Sequence, residues 1–234
     1  MFNQRIYNSK LNPDIWATGE SLHAEVREHL LKIAKDFYEE VDIKAKLQDI
    51  IIIGSSANYN WTPESDIDVH LVIDVNELEM PDKESTANYL DALKQKWNAD
   101  HNIHIKGHKV ETYIQDVKHE THATGIFSLL KNEWLVRPVK AKVNIDKEGI
   151  KKLFAQYVDK ISKVGQSPTP EKLKALLDDI YKMREKGLDS AEGELSTENL
   201  TFKLIRSKGF LEKLKKLKIA IYDKSVSLAE QKGL

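Results

Sequence analysis

The hydrophobic pattern changes period along the chain. Over residues 21–42, Val26, Leu30, Ile33, Ala34 and Phe37 recur every three or four positions, which predicts an amphipathic helix with an acidic first turn at Ser21 and Glu25. Leu47–Ile53 contains four consecutive isoleucines and ends at Gly54, the pattern of a buried strand. Ile67–Ile73 alternates apolar and polar residues and predicts a second strand. Residues 85–97 return to helical spacing, with Tyr89, Leu90, Leu93 and Trp97 on one side. Residues 103–105 and 110–114 flank Lys106-Gly107 and predict a hairpin or two adjacent strands. From Ile150 onward only helical spacing remains, over residues 150–164, 171–186 and 198–226. Thr169-Pro170-Glu171, and Ser196 with Asn199, mark two of the helix starts.

These elements predict an α+β domain over residues 1–140 and an α-helical region over 141–234. Asn12-Pro13-Asp14 reads as a turn closing a polar N-terminal arm. The mostly apolar stretch from Ile126 to Leu135 reads as a packing joint between the two regions, not a site. Composition narrows the picture. The 234 residues hold no cysteine, which excludes disulfides, thiolate metal sites and a cysteine nucleophile. Thirty-six basic and 37 acidic residues leave a net charge of −1, arguing against a globally basic nucleic-acid coat. Runs such as residues 50–53 fall far short of the roughly 18 apolar residues of a membrane span, and the N-terminal segment lacks a signal-peptide core. The expectation is a soluble cytoplasmic protein that does not engage membranes.

The chemistry concentrates between Ile53 and Val69. A strand ends at Gly54-Ser55-Ser56, and Ser65-Asp66-Ile67-Asp68 opens the next strand ten residues after Ser55. Positions i and i+2 of a strand share a face, so Asp66 and Asp68 converge while Ile67, Val69 and Leu71 turn to the core. Two adjacent carboxylates repel unless a cation lies between them, and hard oxygen donors suit Mg²⁺ or Mn²⁺. Gly54 has no side chain to block the approach of a phosphate, and its turn offers backbone N–H groups and a hydroxyl.

An apolar residue, Gly, Ser, a spacer and then Asp-apolar-Asp-apolar resembles the signature of the DNA polymerase β-like nucleotidyltransferase superfamily. Residues 58–62 and 110–116 also look like a group of stand-alone predicted nucleotidyltransferases found largely in phage genomes, which would place the protein in a host cytoplasm. The resemblance implies a mixed β-sheet flanked by helices and transfer of a nucleoside monophosphate from a nucleoside triphosphate to a hydroxyl by two-metal chemistry. It implies that Asp66 and Asp68 hold the metals and that a later strand supplies a third carboxylate. Glu111 matches best, with Asp116 as the alternative. Ser55, Ser56 and Ser65 would lie along the nucleotide. His70 shares the face of Asp68 and either touches substrate or packs beside the carboxylates.

Other features weigh less. His101, His104, His108, His119 and His122 crowd one stretch, but the hairpin turn at Gly107 would scatter the rings and no cysteine is there to help, so they read as solvated or hydrogen-bonded rather than as a zinc site. Tyr59 and Trp61 in the spacer either stack on a base or anchor the loop. Residues 203–218 carry seven basic side chains against Glu212, a stripe suited either to an RNA or DNA backbone or to solvent. Lys203 and Arg206 are its candidate phosphate contacts. The expected activity is nucleotidyl transfer, with RNA slightly favoured as acceptor. The alternatives are a phosphotransferase, or a non-catalytic nucleotide- or nucleic-acid-binding regulator on the same fold.

Overall fold

The computed structural model describes residues 8–119, 123–140 and 145–227. The chain divides into two compact units, residues 1–141 and 142–234. In the first, helix α1 (Ala24–Glu40) precedes strand β1 (Leu47–Ile53), and a one-turn 3-10 helix (Ser55–Ala57) precedes β2 (Ile67–Ile73). Helix α2 (Lys83–Asp100) leads to β3 (His104–Ile105), β4 (His108–Asp116), β5 (Ile126–Ser128) and β6 (Glu133–Val136). The strands form one mixed sheet in the order β3-β4-β2-β1-β5-β6. β2 and β4 are parallel, and the other pairs are antiparallel.

Alternation in β2 does what its sequence requires. Ile67, Val69 and Leu71 are fully buried against Val26, Leu30 and Phe37 of α1, while Asp66, Asp68 and His70 lie on the opposite face, half-buried. Lys106 and Gly107 both have positive φ, as a two-residue hairpin turn demands, and join β3 to β4. β3 covers only the start of β4. Further along, Asn98 of α2 bonds both the N–H and the carbonyl of Thr112, satisfying backbone groups that pairing with β3 does not reach.

Three departures from the sequence expectation have physical causes. The stretch read as an inter-region joint contains two strands: β5 pairs with Ile51 and Ile52, and β6 closes that side of the sheet. Such short strands carry too few residues to show alternation. The segment read as one helix over 198–226 is two, α5 (Thr197–Ser207) and α6 (Phe210–Val226), because Gly209 takes a left-handed φ of 72° that ends the first. The described end of the N-terminal arm and the turn after it pack into the fold: Leu11, Ile15 and Trp16 are buried, and the Trp16 indole N–H donates to the Ser56 carbonyl at 2.7 Å.

The second unit comprises α3 (Lys147–Gln166), α4 (Pro170–Leu188), α5 and α6. Leu173, Leu176, Leu177 and Ile180 of α4 meet Phe202 and Ile205 of α5 in a separate core. Thr169 caps α4 by accepting from the Lys172 N–H, with Pro170 in the first turn, and Ser196 caps α5. No helix among the described residues is long and apolar enough to cross a membrane.

Candidate active site

The site lies where β1 ends, β2 begins and β4 runs alongside. Gly54 has φ 77° and ψ −157°, a conformation open to glycine, and a Cβ built there would stand 2.4 Å from Asp68 Oδ2. The turn and the carboxylate are therefore in direct contact. The parallel register of β2 and β4 pairs Asp68 with Glu111, His70 with Tyr113, and Val72 with Gln115. Side chains paired this way share a face, so Asp66, Asp68 and Glu111 lie on one side of the sheet.

Tyr113 reports the combined charge there. Its hydroxyl donates to Glu111 Oε2 at 2.7 Å, and its pKa is pushed up by burial first, then by the charge of Asp68, the hydrogen bond to Glu111, and the charges of Glu111 and Asp66. All three carboxylates thus act on one phenol. The other Glu111 oxygen accepts from Lys109 Nζ at 2.9 Å. Beyond Tyr113, the stacked His70 ring meets Gln115 Oε1 through Nδ1 at 2.8 Å. Burial above all holds His70 down at about 4, the positive charges of His119 and Lys94 adding to it and the Gln115 bond opposing, so the ring is neutral at pH 7. Asp116, the alternative third carboxylate, lies at the far end of β4, paired with Ile73.

The serines divide into two kinds. Ser56 and Ser65 are buried, and their hydroxyls serve the protein itself. Ser56 donates to the Asp66 carbonyl, and Ser65 Oγ accepts from the Thr62 N–H and from Ser55 Oγ, both at 2.9 Å. Ser55 is half-buried, and the internal bonds of its 3-10 turn begin at the Ala57 N–H, downstream of its own. The spacer aromatics are anchors: Tyr59 is buried with its hydroxyl donating to Glu20, and the Trp61 indole donates to the Lys10 carbonyl at 2.9 Å. Lys203, half-buried, and Arg206, exposed, belong to α5 of the second unit.

Two residues read from the sequence as a solvated or hydrogen-bonded histidine and a turn residue are joined beside the site, a link sequence reasoning missed. Buried His108 opens β4 and contacts the Ser65 carbonyl through Nδ1 at 2.7 Å, while buried Asn12 meets its Nε2 at 2.8 Å. Ninety-six positions separate Asn12 from His108, and no local pattern links them. His122 lies outside the described residues, and His101 packs on Trp97.

The donor set has the chemistry for a divalent cation, three carboxylates on one sheet face with Asp68 beside Glu111. As placed, no three His, Asp or Glu side chains among the described residues form a ready cage. Both Glu111 oxygens are held by neighbours, so its carboxylate would have to turn from Lys109 to join a cation held by Asp66 and Asp68. No curated protein matches the chain. Residues 30–137, which span this site from within α1 to just past β6, match the family model of the nucleotidyltransferase domain, supporting the polymerase β-like resemblance for this part of the chain.

Proposed function

We propose that the protein is a metal-dependent nucleotidyltransferase that moves a nucleoside monophosphate from a nucleoside triphosphate to a hydroxyl. The observation that carries this reading is the pairing of Asp68 with Glu111 across β2 and β4, with Asp66 on the same face and the Gly54 turn against Asp68. Asp66 and Asp68 would hold one Mg²⁺ or Mn²⁺ and, with Glu111, a second. Bound cations would relieve the repulsion among the carboxylates and lower the pKa of the acceptor hydroxyl. The chain's own residues do the rest. The Gly54-Ser55 turn would present backbone N–H groups to the triphosphate, joined by the Ser55 hydroxyl once it turns from Ser65, while Ser56 holds the turn against the β2 entry. Lys109 lies beside Glu111, where a positive charge offsets that of an incoming phosphate or carboxylate.

The acceptor that best suits the basic stripe of α5 and α6 is RNA. Arg206, Lys208, Lys213, Lys215 and Lys216 are exposed, and Lys216 also pairs with Glu212 at 2.6 Å. A phage origin and a cytoplasmic setting accord with the resemblance of residues 58–62 and 110–116.

Label transfer tests the reading. Each of four α-labelled ribonucleoside triphosphates, with Mg²⁺ or Mn²⁺, is incubated with RNA, protein and metabolite fractions, with Asp66→Ala/Asp68→Ala as control. Label entering one fraction and lost in the control is the expected result. Retained label in the control would overturn the assignment of the carboxylates. A second reading has its own observation, the engagement of both Glu111 oxygens by Lys109 and Tyr113. It makes the site a nucleotide binder without turnover, and it predicts nucleotide binding with no α-label transfer. Transfer of γ-label alone would indicate a phosphotransferase.

A further inference from the structure

Asp66 and Asp68 are fixed by different means. Asp68 lies within the sheet, paired with Ile53 on one side and Glu111 on the other. Asp66 precedes β2, and the register with β4 begins only at Ile67 and Val110. The position of its backbone therefore rests on what holds the peptide units on either side of it. The unit after it is held by Ser56 Oγ, which donates to the Asp66 carbonyl. The unit before it carries the Ser65 carbonyl, and His108 holds that.

The polarity of this contact follows from the network. The Asp14 N–H donates to Asn12 Oδ1 at 3.0 Å, so the Asn12 group facing His108 Nε2 is its amide Nδ2, a donor. Nε2 must accept, which leaves the ring proton on Nδ1, donated to the Ser65 carbonyl at 2.7 Å. His108 is 5% exposed and Asn12 fully buried, so removing either partner leaves a buried polar group unpaired.

We infer that Asn12 and His108 form a strut that sets the position of Asp66, with His108 a positioning residue held as the neutral Nδ1–H tautomer. The inference rests on the proposed role of Asp66 in cation binding. The strut also gives a reason for the burial of residues 11–16, since that segment delivers Asn12 to the start of β4.

Three measurements on the full-length protein test it. Ring ¹⁵N shifts of wild type report the tautomer with no metal present. An Nδ1–H ring is expected, and an Nε2–H or doubly protonated ring at neutral pH would overturn the strut. Mn²⁺ binding followed by EPR then compares wild type with His108→Phe, His108→Gln and Asn12→Ala. Gln keeps one donor and one acceptor at its end, and Phe keeps neither. The expectation is a weakening of about fivefold or more for Phe and Ala, with Gln within about twofold of wild type. Equal affinity in a folded Phe or Ala variant would overturn the inference, and the backbone shifts of Asp66 and Ile67 decide it if Phe does not fold. Shifts that move in Asn12→Ala but not in His108→Gln support the strut, and unmoved shifts in Asn12→Ala refute it. If wild type binds Mn²⁺ no better than Asp66→Asn/Asp68→Asn, the metal reading fails by itself, and the tautomer and backbone shifts still judge the strut.

Discussion

Gly54 joins backbone conformation to chemistry in a single residue. Its φ of 77° strains any residue with a Cβ, and that Cβ would meet the Asp68 carboxylate at 2.4 Å. Gly54→Ala is expected to lose about 1–3 kcal/mol in urea unfolding from the backbone alone, because φ 77° with ψ −157° lies in a region essentially reserved for glycine. Displacing Asp68 should cut nucleotide transfer by about a hundredfold, since an ångström-scale misplacement costs on that order. A variant that loses stability but keeps its rate would detach the turn from the reaction. Lys109 offers a second test at this scale. It is partly exposed and lies 2.9 Å from Glu111, so its attraction is worth about 1 kcal/mol. Lys109→Met should raise Mn²⁺ affinity by about fivefold, the same energy expressed as a binding constant. A fall in affinity would mean that Lys109 supports the carboxylates' arrangement more than it competes with a cation. The candidate residues that the sequence singled out most directly were those of a local motif, Gly54, Ser55, Asp66 and Asp68. Asn12 and His108 were not, because their partnership exists only after the chain has folded back across 96 positions.

Elements were legible where burial imposed a period over many residues. β1 and β2 have the bounds their apolar runs predict, because one face of β2 is buried along its whole length and β1 is buried on both faces from Asp49 to Ile52. β5 has three residues and β6 has four, too few for a period to emerge, and their strand character comes from pairing with β1 and with each other. The break between α5 and α6 hinges on Gly209 alone, inside an otherwise continuous apolar spacing. Within the helical unit, α3 and α4 meet around Tyr157. Lys160 of α3 is 2.7 Å from Asp179 of α4 and 4.5 Å from the Tyr157 ring. Burial, and then the charge of Asp179 and a hydrogen bond to it, push the Tyr157 hydroxyl up to about 12. A phenol raised in the folded state contributes stability that is complete below its unfolded pKa of about 10 and is lost as pH rises through about 12. Urea midpoints taken from pH 9 to 12 should therefore fall more steeply for wild type than for Tyr157→Phe. Parallel curves would show that the phenol titrates alike in both states.

Across the whole molecule, a net charge of −1 conceals a separation of sign. The sheet face of the first unit gathers Asp66, Asp68 and Glu111, whereas residues 203–218 of the second carry seven basic side chains and one acidic. In that stretch Ile205, Leu211 and Leu214 are buried, so packing claims these apolar positions and leaves Arg206, Lys208, Lys213, Lys215 and Lys216 exposed. A solvated face and an RNA-binding face share this geometry, which is why the sequence pattern alone does not separate them, but they differ in salt response. Each phosphate neutralised on a single strand releases counterions and contributes about −0.7 to the slope of log K against log salt. If the stripe holds RNA, Lys208→Ala/Lys213→Ala should weaken binding of a single-stranded oligonucleotide and make the slope shallower by about 1.4. Melting should hardly change, because both side chains are exposed. The slope is the sharper readout, since a conformational defect lowers affinity at every salt concentration while leaving the number of released ions as it was. An unchanged slope would assign the stripe to solvent and move the search for the acceptor to the face of the sheet that carries the carboxylates.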